Sequence, residues 1–305
     1  MTSISTIGLQ QILLSGFQRA QGAAQESQIQ LATGDVSNTY SGVGPQTARL
    51  LSAEGVVTRA SAFEDAANAA VSRLQIQEAA LTDIGDAVTD LRQTFVAALA
   101  NGSGDVLLPD VETAAQRVLS SLNAQFGGTF VFGGTDGSAP PVDASSLADI
   151  GGAANIADLF SEGERARLAV EAGTTVDGGA LASDIASELL GELAGFFQAT
   201  SALGPFAGPL TADQRDFLVQ QVARFDEISD DIITEQGLNG VSQAQALAAN
   251  VRNVQARDLA EIVASDIEDA DLAEVVARLN QDQLAIQASA QALAQASQLS
   301  LLNFI

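Results

Sequence analysis

The chain has 305 residues, which is enough for one large domain or two smaller ones with a sizeable core. Its 38 acidic residues face 13 arginines and no lysine, so the formal net charge is −25 and the chain should repel nucleic acid and anionic membrane surfaces. Without cysteine or histidine it cannot form disulfides, Cys/His zinc sites, a thiol nucleophile or an imidazole acid–base pair. We therefore expect a protein that is not an enzyme, with no catalytic, cofactor-binding or metal-binding residues.

The N-terminal sequence lacks the features of a cleaved secretory signal. It has no positively charged start and no apolar run that leads to a small-residue cleavage site. No run of about 18 apolar residues occurs elsewhere, so we expect no membrane-spanning helix. The chain should stay in the cytosol or leave it by a route that needs no cleaved signal.

The first 33 residues are predicted to form a helix, because apolar residues recur at helical spacing. Gly8, Gly16 and Gly22 weaken this helix by roughly 1 kcal/mol each relative to alanine. A segment rich in Gly, Ser, Asn and Thr, from Thr33 to Pro45, then predicts a loop. The apolar residues of the helix are Ile4, Ile7, Leu9, Ile12, Leu13 and Phe17.

The clearest pattern in the chain lies between Val56 and Ala98. Apolar residues recur there in alternating steps of four and three, which predicts one long helix of a coiled coil or bundle. Only Gln77 interrupts the series, a Gly/Ser-rich stop begins at Asn101, and a shorter amphipathic helix is predicted over Val111–Phe126. We call the series the first seam and expect its large residues to be buried against other helices of the same subunit. Its members are Val56, Ala60, Phe63, Ala67, Ala70, Leu74, Gln77, Leu81, Ile84, Val88, Leu91, Phe95 and Ala98.

The middle of the chain has a different character. From Gly127 to about Leu181 the helical period disappears, and Gly, Pro, Ser and Asp dominate. Two short strands are expected here, at Thr129–Phe132 and Arg167–Val170. Helices resume over Ala182–Leu203 and again from Thr211.

The C-terminal segment repeats the four-three spacing. No glycine or proline occurs between Val241 and Ile305, so the last helix could run nearly to the end of the chain. Its apolar series becomes small and polar toward the end, and it should therefore pack closely but weakly. This second seam is Leu272, Val276, Leu279, Gln283, Ile286, Ala290, Leu293, Ser297, Ser300 and Phe304.

Two stretches approach known binding motifs without matching them. Gly128–Thr135 has the glycine spacing of a phosphate-binding loop, but Gly134 stands where the lysine is required, so we interpret it as a strand and a turn. The acidic cluster between Asp266 and Asp271 lacks the glycine-containing calcium loop. It falls in a stretch predicted to be helical, where carboxylates form a solvated face instead of converging on one ion.

Together these elements predict a mainly α fold. The N- and C-terminal regions form a long antiparallel coiled-coil helical bundle with a small central β-containing domain. The predicted divisions are an N-terminal assembly helix and turn (1–45), long coiled-coil helices (46–127), a central projecting domain (128–200), returning bundle helices (201–255) and a C-terminal assembly helix (256–305).

Several segments resemble the bacterial flagellin superfamily. Ser265–Glu274 is similar to the start of the family's C-terminal region, and Leu299–Phe304 is similar to its ending. At the other end, Gln30–Gly34 lies where flagellins carry a Leu-Ser-Thr-Gly turn. Within the superfamily, Phe130–Asp136 and Arg165–Val176 are similar to the hook-filament junction branch, hook-associated protein 3 or FlgL.

This resemblance implies a structural subunit of the flagellum that is exported unfolded through the type III export apparatus, without a cleaved signal peptide. Its location would be the extracellular flagellum. The implied partners are further copies in a ring or tube, hook-associated protein 1, flagellin neighbours and a cytoplasmic export chaperone. Polymerisation at the hook-filament junction would connect hook to filament. Filament flagellin and a cytoplasmic coiled-coil scaffold remain alternatives.

A physical argument agrees with assembly. An alanine-rich seam on its own buries too little apolar surface to offset a chain entropy of about 1–2 kcal/mol per residue. Neighbouring subunits would supply the missing contacts. We therefore expect the functional residues to be interface residues, chiefly at the seam positions.

Overall fold

The structure is a computed structural model that describes the backbone of residues 2–302 and the side chains of residue 8 and residues 11–295. The described residues form eight α-helices and two small hairpins, with short 3-10 turns at Gly44–Gln46 and Ile156–Leu159. The helices are α1 (Thr2–Thr33), α2 (Tyr40–Val43), α3 (Thr47–Asn101), α4 (Leu107–Leu122), α5 (Leu147–Gly152), α6 (Ala182–Ala202), α7 (Ala212–Glu268) and α8 (Leu272–Leu302). The strands are β1 (Gln125–Phe126), β2 (Thr129–Phe130), β3 (Arg167–Glu171) and β4 (Thr174–Asp177). The mainly α prediction is confirmed.

The chain divides into two compact units. The terminal unit joins residues up to Thr58 with residues from Ala256 onward, and the central unit comprises Arg59–Gln255. Some predicted contacts concern side chains outside the described residues. These are the side chains of Ile4, Ile7, Leu9, Ser297, Ser300 and Phe304.

One hydrophobic cluster of the central unit joins buried side chains of α3, α4, α6 and α7. Phe95 of α3 stacks on Phe196 of α6 with ring centroids 5.6 Å apart, and it meets Phe225 of α7 edge-on at 5.3 Å. Each such ring stabilises the fold by about 1.5–3 kcal/mol through burial alone. The predicted burial of the first seam is confirmed for 11 of its 13 members, while Val56 and Phe63 are half-buried.

The short helix predicted to end at Phe126 ends four residues earlier, at Leu122. Its predicted apolar face is confirmed, since Val111, Ala115, Val118 and Leu122 are all buried. The chain leaves the helix because Asn123 bonds to the backbone of Val142 in both directions. Its Nδ2 donates to the carbonyl at 3.1 Å, and its Oδ1 accepts from the N–H at 3.2 Å.

The two predicted strands lie in separate antiparallel hairpins. Gly127 and Gly128, at φ +57° and +82°, form the two-residue turn between β1 and β2, where both central residues need a left-handed backbone. β2 is two residues shorter than predicted. The strand predicted at Arg167 is confirmed as β3, and this hairpin buries Val170 and Val176 against α3 and α7.

α7 carries a heptad series that was not predicted from the sequence. Within the central unit its inward residues follow one another in steps of four and three, yet about half of them are polar. A search for apolar residues alone passes over such a series. Its buried members in the central unit are Gln214, Leu218, Gln221, Phe225, Ile228, Ile232, Asn239, Ser242, Ala246, Ala249 and Asn253.

Among the described residues the last helix runs to Leu302, in agreement with the prediction that it could run nearly to the end of the chain, but a break precedes it. α7 ends at Glu268, and α8 begins at Leu272. The carboxylate of Asp271 accepts hydrogen bonds from the backbone N–H groups two and three residues later, at 2.9 and 3.3 Å, and so caps the first turn of α8. The acidic cluster therefore spans a helix junction and not a helical stretch. An aspartate cap needs no glycine or proline, so the absence of those residues could not exclude it.

In the terminal unit, α1 and α8 pack against each other in antiparallel directions. The backbone of Asp35, after α1, pairs with that of Asp269, before α8. Further along both helices, Ser27 Oγ donates to Asp282 Oδ2 at 3.4 Å. The buried face of α1 is small and polar, since it carries Ala24, Ser27 and Gln30.

Of the seven second-seam members whose side chains are described, only Leu279, Ile286 and Leu293 face inward. Leu272 and Val276 are 48% and 42% exposed, whereas Val275 is buried. Because the facing side of α1 is small and polar, the largest apolar residues of α8 do not all turn toward it. Among the described side chains of α8, the inward positions, buried or half-buried, are Val275, Leu279, Asp282, Ile286, Ser289, Ala292 and Leu293.

Candidate assembly surfaces

The first seam is not available to neighbouring subunits. Its large central residues are at most 1% exposed, because other helices of the same chain cover them. The expectation that this seam supplies contacts between subunits is therefore wrong. Any contact surface must lie on the outward sides of the helices. The large central residues of the first seam that are buried in this way are Leu74, Leu81, Ile84, Val88 and Leu91.

The outward side of α7 has an unusual composition between Gln236 and Val251. None of these 16 residues is charged, although 17% of the whole chain is. Four apolar side chains in the stretch are 51–55% exposed, and four exposed glycines and alanines lie between them. We call this surface the outer α7 face. It consists of Gly237, Leu238, Gly240, Val241, Ala244, Leu247, Ala248 and Val251.

The heptad explains why these residues face outward. Asn239, Ser242, Ala246 and Ala249 point into the central unit, so the intervening positions lie on the opposite side of the helix. Outward positions of a paired helix are normally charged because water surrounds them. An uncharged, partly apolar stripe in that place is a candidate surface for contact with another protein.

The borders of the outer α7 face are charged. Arg252 pairs with Glu171 of β3 at 2.7 Å, and this hydrogen bond lowers the pKa of the Glu171 carboxyl. At the other border, Arg165 pairs with Asp184 at 2.8 Å and with Glu235 at 3.4 Å. Exposed pairs of this kind contribute only about 0–1 kcal/mol each to stability. These ion pairs nevertheless mark the two ends of the outer α7 face.

The side of the central unit formed by α3 and α4 carries an excess of negative charge. Arg117 of α4 lies 3.0 Å from Asp83, 3.7 Å from Asp86 and 3.3 Å from Asp90 of α3. A hydrogen bond to Asp83 raises the pKa of Arg117, so it stays a cation throughout. One cation for three carboxylates leaves this surface acidic. It is thus a poor surface for docking a second acidic chain.

The terminal unit also keeps apolar side chains on its outside. They remain exposed after α1 has paired with α8, so they are not part of the internal contact between these helices. Among the described side chains, such residues occur on all four long helices that contribute to the unit, α1, α3, α7 and α8. Among the most exposed are Ile12 (66%), Ile29 (49%), Leu51 (48%), Leu259 (65%), Ile262 (59%) and Leu284 (66%).

Buried amides hold α7 in one position against its neighbours. Asn239 Nδ2 donates to the carbonyl of Leu74 at 3.0 Å and to Glu78 Oε2 at 2.8 Å. Asn253 Nδ2 donates to the carbonyl of Val170 in β3 at 2.8 Å. A one-residue slip of α7 would break these bonds and leave buried polar groups unpaired. Apolar periodicity does not reveal these residues, although two asparagines 14 positions apart, two full heptads, are a usable signal in the sequence.

The two near-motifs have structural roles. Gly128–Thr135 forms part of a hairpin and the turn after it, which confirms the strand-and-turn interpretation. Gly134, at φ +62°, allows the carbonyl of Glu164 to approach so closely that a Cβ would lie 2.3 Å from it. Among the described residues, no group of three or more Asp and Glu is arranged to hold a metal ion. Within the same part of the chain, no helix has the length and apolar character needed to cross a membrane.

Comparisons with known proteins identify both ends of the chain. The model of the bacterial flagellin N-terminal helical region matches residues 4–136, and that of the C-terminal helical region matches residues 222–305. The two matches together cover more than half of the chain. A search of curated protein sequences gives no match.

A solved structure with little sequence identity shares the fold. The chain is similar to a Vibrio parahaemolyticus protein assigned as a flagellar hook-associated protein, with a TM-score of 0.60 and 13% identity over 76% of this chain and 99% of the other. FlgL of Bacillus cereus aligns with a TM-score of 0.49 and 13% identity over 66% of this chain and 98% of the other.

Proposed function

Because this chain belongs to the bacterial flagellin family, we propose that it is a structural subunit of the flagellum that polymerises at the hook-filament junction and connects hook to filament. The observation that carries this proposal is the pair of family matches, one at each end of the chain. The outer α7 face and the exposed apolar residues of the terminal unit support it, because they offer uncovered surface to neighbouring subunits. In this role the protein is structural and not an enzyme.

The junction role rests on a likeness in fold. The Vibrio protein that shares this fold is assigned as a flagellar hook-associated protein, which favours the junction over the filament. A junction subunit contacts hook-associated protein 1 on one side and flagellin on the other. Filament flagellin is the alternative, because the family matches themselves are shared by both kinds of subunit.

Export completes the proposal. The subunit leaves the cell unfolded through the flagellar type III apparatus, after a cytoplasmic chaperone has held it, and folds at its place in the flagellum. A chain without cysteine suits this route, because no disulfide can trap it during transport. Its location is then extracellular, in the flagellum.

The division into assembly helices and a projecting middle part stays a prediction. The structure limits how much of residues 128–200 can project. Leu189, Leu193 and Phe196 of α6 are at most 1% exposed in the same cluster as α3, α4 and α7. We therefore propose that any projecting part ends before α6.

Deletion of the gene tests the proposed function. A strain without this subunit should build complete hooks and release flagellin into the medium, since the filament has no base on which to grow. Electron microscopy of the cells and fractionation of the culture measure both. Complementation with the wild-type gene should restore filaments. Normal filaments in the deletion strain would contradict the junction role, and hooks without any exported flagellin would point to an earlier step.

The same experiment separates the alternatives. A filament flagellin would be the main protein of sheared flagella in the wild type, whereas a junction subunit would be a trace component. A cytoplasmic scaffold would leave the flagellar fractions unchanged when it is deleted. Quantitative mass spectrometry of sheared flagella distinguishes these outcomes.

A further inference from the structure

The loop after α1 is paired with the chain between α7 and α8. The N–H of Val36 donates to the carbonyl of Glu268 at 2.6 Å, and the N–H of Ala270 donates to the carbonyl of Gly34 at 2.7 Å. This pairing joins the C-terminal end of α1 to the N-terminal end of α8. Both terminal helices are therefore held at one place. We call the pairing of residues 34–36 with residues 268–270 the clasp.

Carboxylates from three parts of the terminal unit surround the clasp. Asp35 from the loop, Glu54 from α3 and Glu268 from the end of α7 line one cavity of 480 Å³. Tyr40 of α2 lines it too, and its hydroxyl donates to Glu54 Oε2 at 3.1 Å. Asp269 adds a further negative charge from the clasp itself. Among the described residues that line the cavity, none is an arginine.

The proton affinity of the cluster follows from this arrangement. Burial raises the pKa of Glu268 above its ordinary value of 4.5, and repulsion from Glu54, Asp35 and Asp269 raises it further. The hydrogen bond with Glu54 and the charge of that carboxylate raise the pKa of Tyr40, so the phenol stays neutral. The folded clasp therefore binds a proton more tightly than the unfolded chain does. Its contribution to stability is complete below the ordinary carboxyl pKa and is lost as the pH rises through the raised value.

We propose that the clasp is a proton-sensitive latch on the terminal helices. Protonation removes the repulsion among the carboxyls and holds the ends of α1 and α8 together. Ionisation of Glu268, as the pH rises through its raised pKa, brings back uncompensated negative charge around one cavity and weakens the two backbone hydrogen bonds. The groups that face Glu268 from the neighbouring elements are Asp35, Tyr40, Glu54 and Asp269, and none of them is a cation.

Hydrogen exchange on the full chain tests the latch. Protection factors of the Val36 and Ala270 amides are measured at about pH 5 and about pH 7.5, after correction for the intrinsic exchange rate. In the wild type, protection at both amides should fall several-fold at the higher pH. Glu268→Gln should keep high protection at both values, because the neutral amide cannot ionise. Asp266→Asn, an exposed position on the same helix, should behave as the wild type does.

Two further measurements secure the result. Amides of α3 in the central unit should show little change between the two pH values, which separates the latch from global unfolding. Glu54→Gln removes the opposing charge and should also reduce the pH dependence, so the test does not depend on one variant folding well. Protection at Val36 and Ala270 that is independent of pH in the wild type would overturn the proposal. An undiminished pH dependence in both glutamine variants would also overturn it.

Discussion

At Gln77 the first seam changes from apolar to polar without losing its burial. The residue is 1% exposed, and its Nε2 donates to the carbonyl of Val131 at 2.6 Å. Gly179 approaches the same amide so closely that any Cβ there would clash with it. On the sequence Gln77 interrupts the seam, whereas in the structure it attaches the middle part of the chain to α3. Its partner, Val131, lies 54 residues further along the sequence, so periodicity cannot reveal this contact.

Truncation of a first-seam residue should destabilise the protein substantially. Leu81→Ala removes a side chain that is 1% exposed and leaves a cavity, so the free energy of unfolding should fall by about 2–5 kcal/mol. Leu247→Ala is the matched control, because that leucine is 51% exposed and its truncation should change the free energy by about 0.5 kcal/mol or less. Urea denaturation measures both. Equal losses in the two variants would show that the seam is not the core.

Asn239 gives a second prediction at the scale of one residue. Asn239→Asp replaces a buried amide donor by a carboxylate next to Glu78 and the carbonyl of Leu74, and should cost about 3 kcal/mol or more at neutral pH. Burial and Glu78 raise the pKa of the new carboxyl, so the loss should shrink as the pH falls. Gln220→Glu, at an exposed position of the same helix, is the control. A loss independent of pH would contradict the burial of this side chain next to a second carboxylate.

At the scale of elements, the helical segments could be predicted well from the sequence. The side of each helix that other helices cover was predicted less well. The long apolar helix α3 was found in the right phase because its seam is nearly all apolar. α7 and α8 were not, since polar residues such as Asn253 and Asp282 occupy inward positions and large apolar residues such as Leu247 and Val276 lie outside. A partner that itself presents small or polar residues removes the signal that periodicity relies on. The apolar residues left outside are the ones that assembly can use.

Charge placed on the outer α7 face should block assembly without unfolding the subunit. Val241 is 55% exposed in the monomer, so Val241→Asp should change the free energy of unfolding by less than about 1 kcal/mol. Against a neighbouring acidic subunit the new charge is desolvated, and incorporation into flagella should fall about tenfold or more. Ala223→Asp, exposed on the same helix outside the face, should incorporate normally. Equal amounts of both variants in purified flagella would exclude this face as a contact.

At the scale of the whole molecule, net charge and assembly oppose each other. A chain of charge −25 repels its copies, and this repulsion keeps the free subunit soluble. The electrostatic repulsion that opposes contact between copies is then smallest where carboxylates are absent, as on the outer α7 face. Composition alone indicated a non-enzymatic protein, but not where the uncharged surface lies. That location depends on how α7 turns against its neighbours, which the buried amides decide.

Localisation of the subunit on intact flagella tests the central claim most directly. Because the chain has no cysteine, Ala172→Cys in the exposed turn between β3 and β4 provides one position for a gold-tagged maleimide. In a complemented strain with normal motility, electron microscopy should show gold in a short band at the boundary of hook and filament. Gold along the whole filament, or none on flagella that contain the labelled chain, would contradict the account.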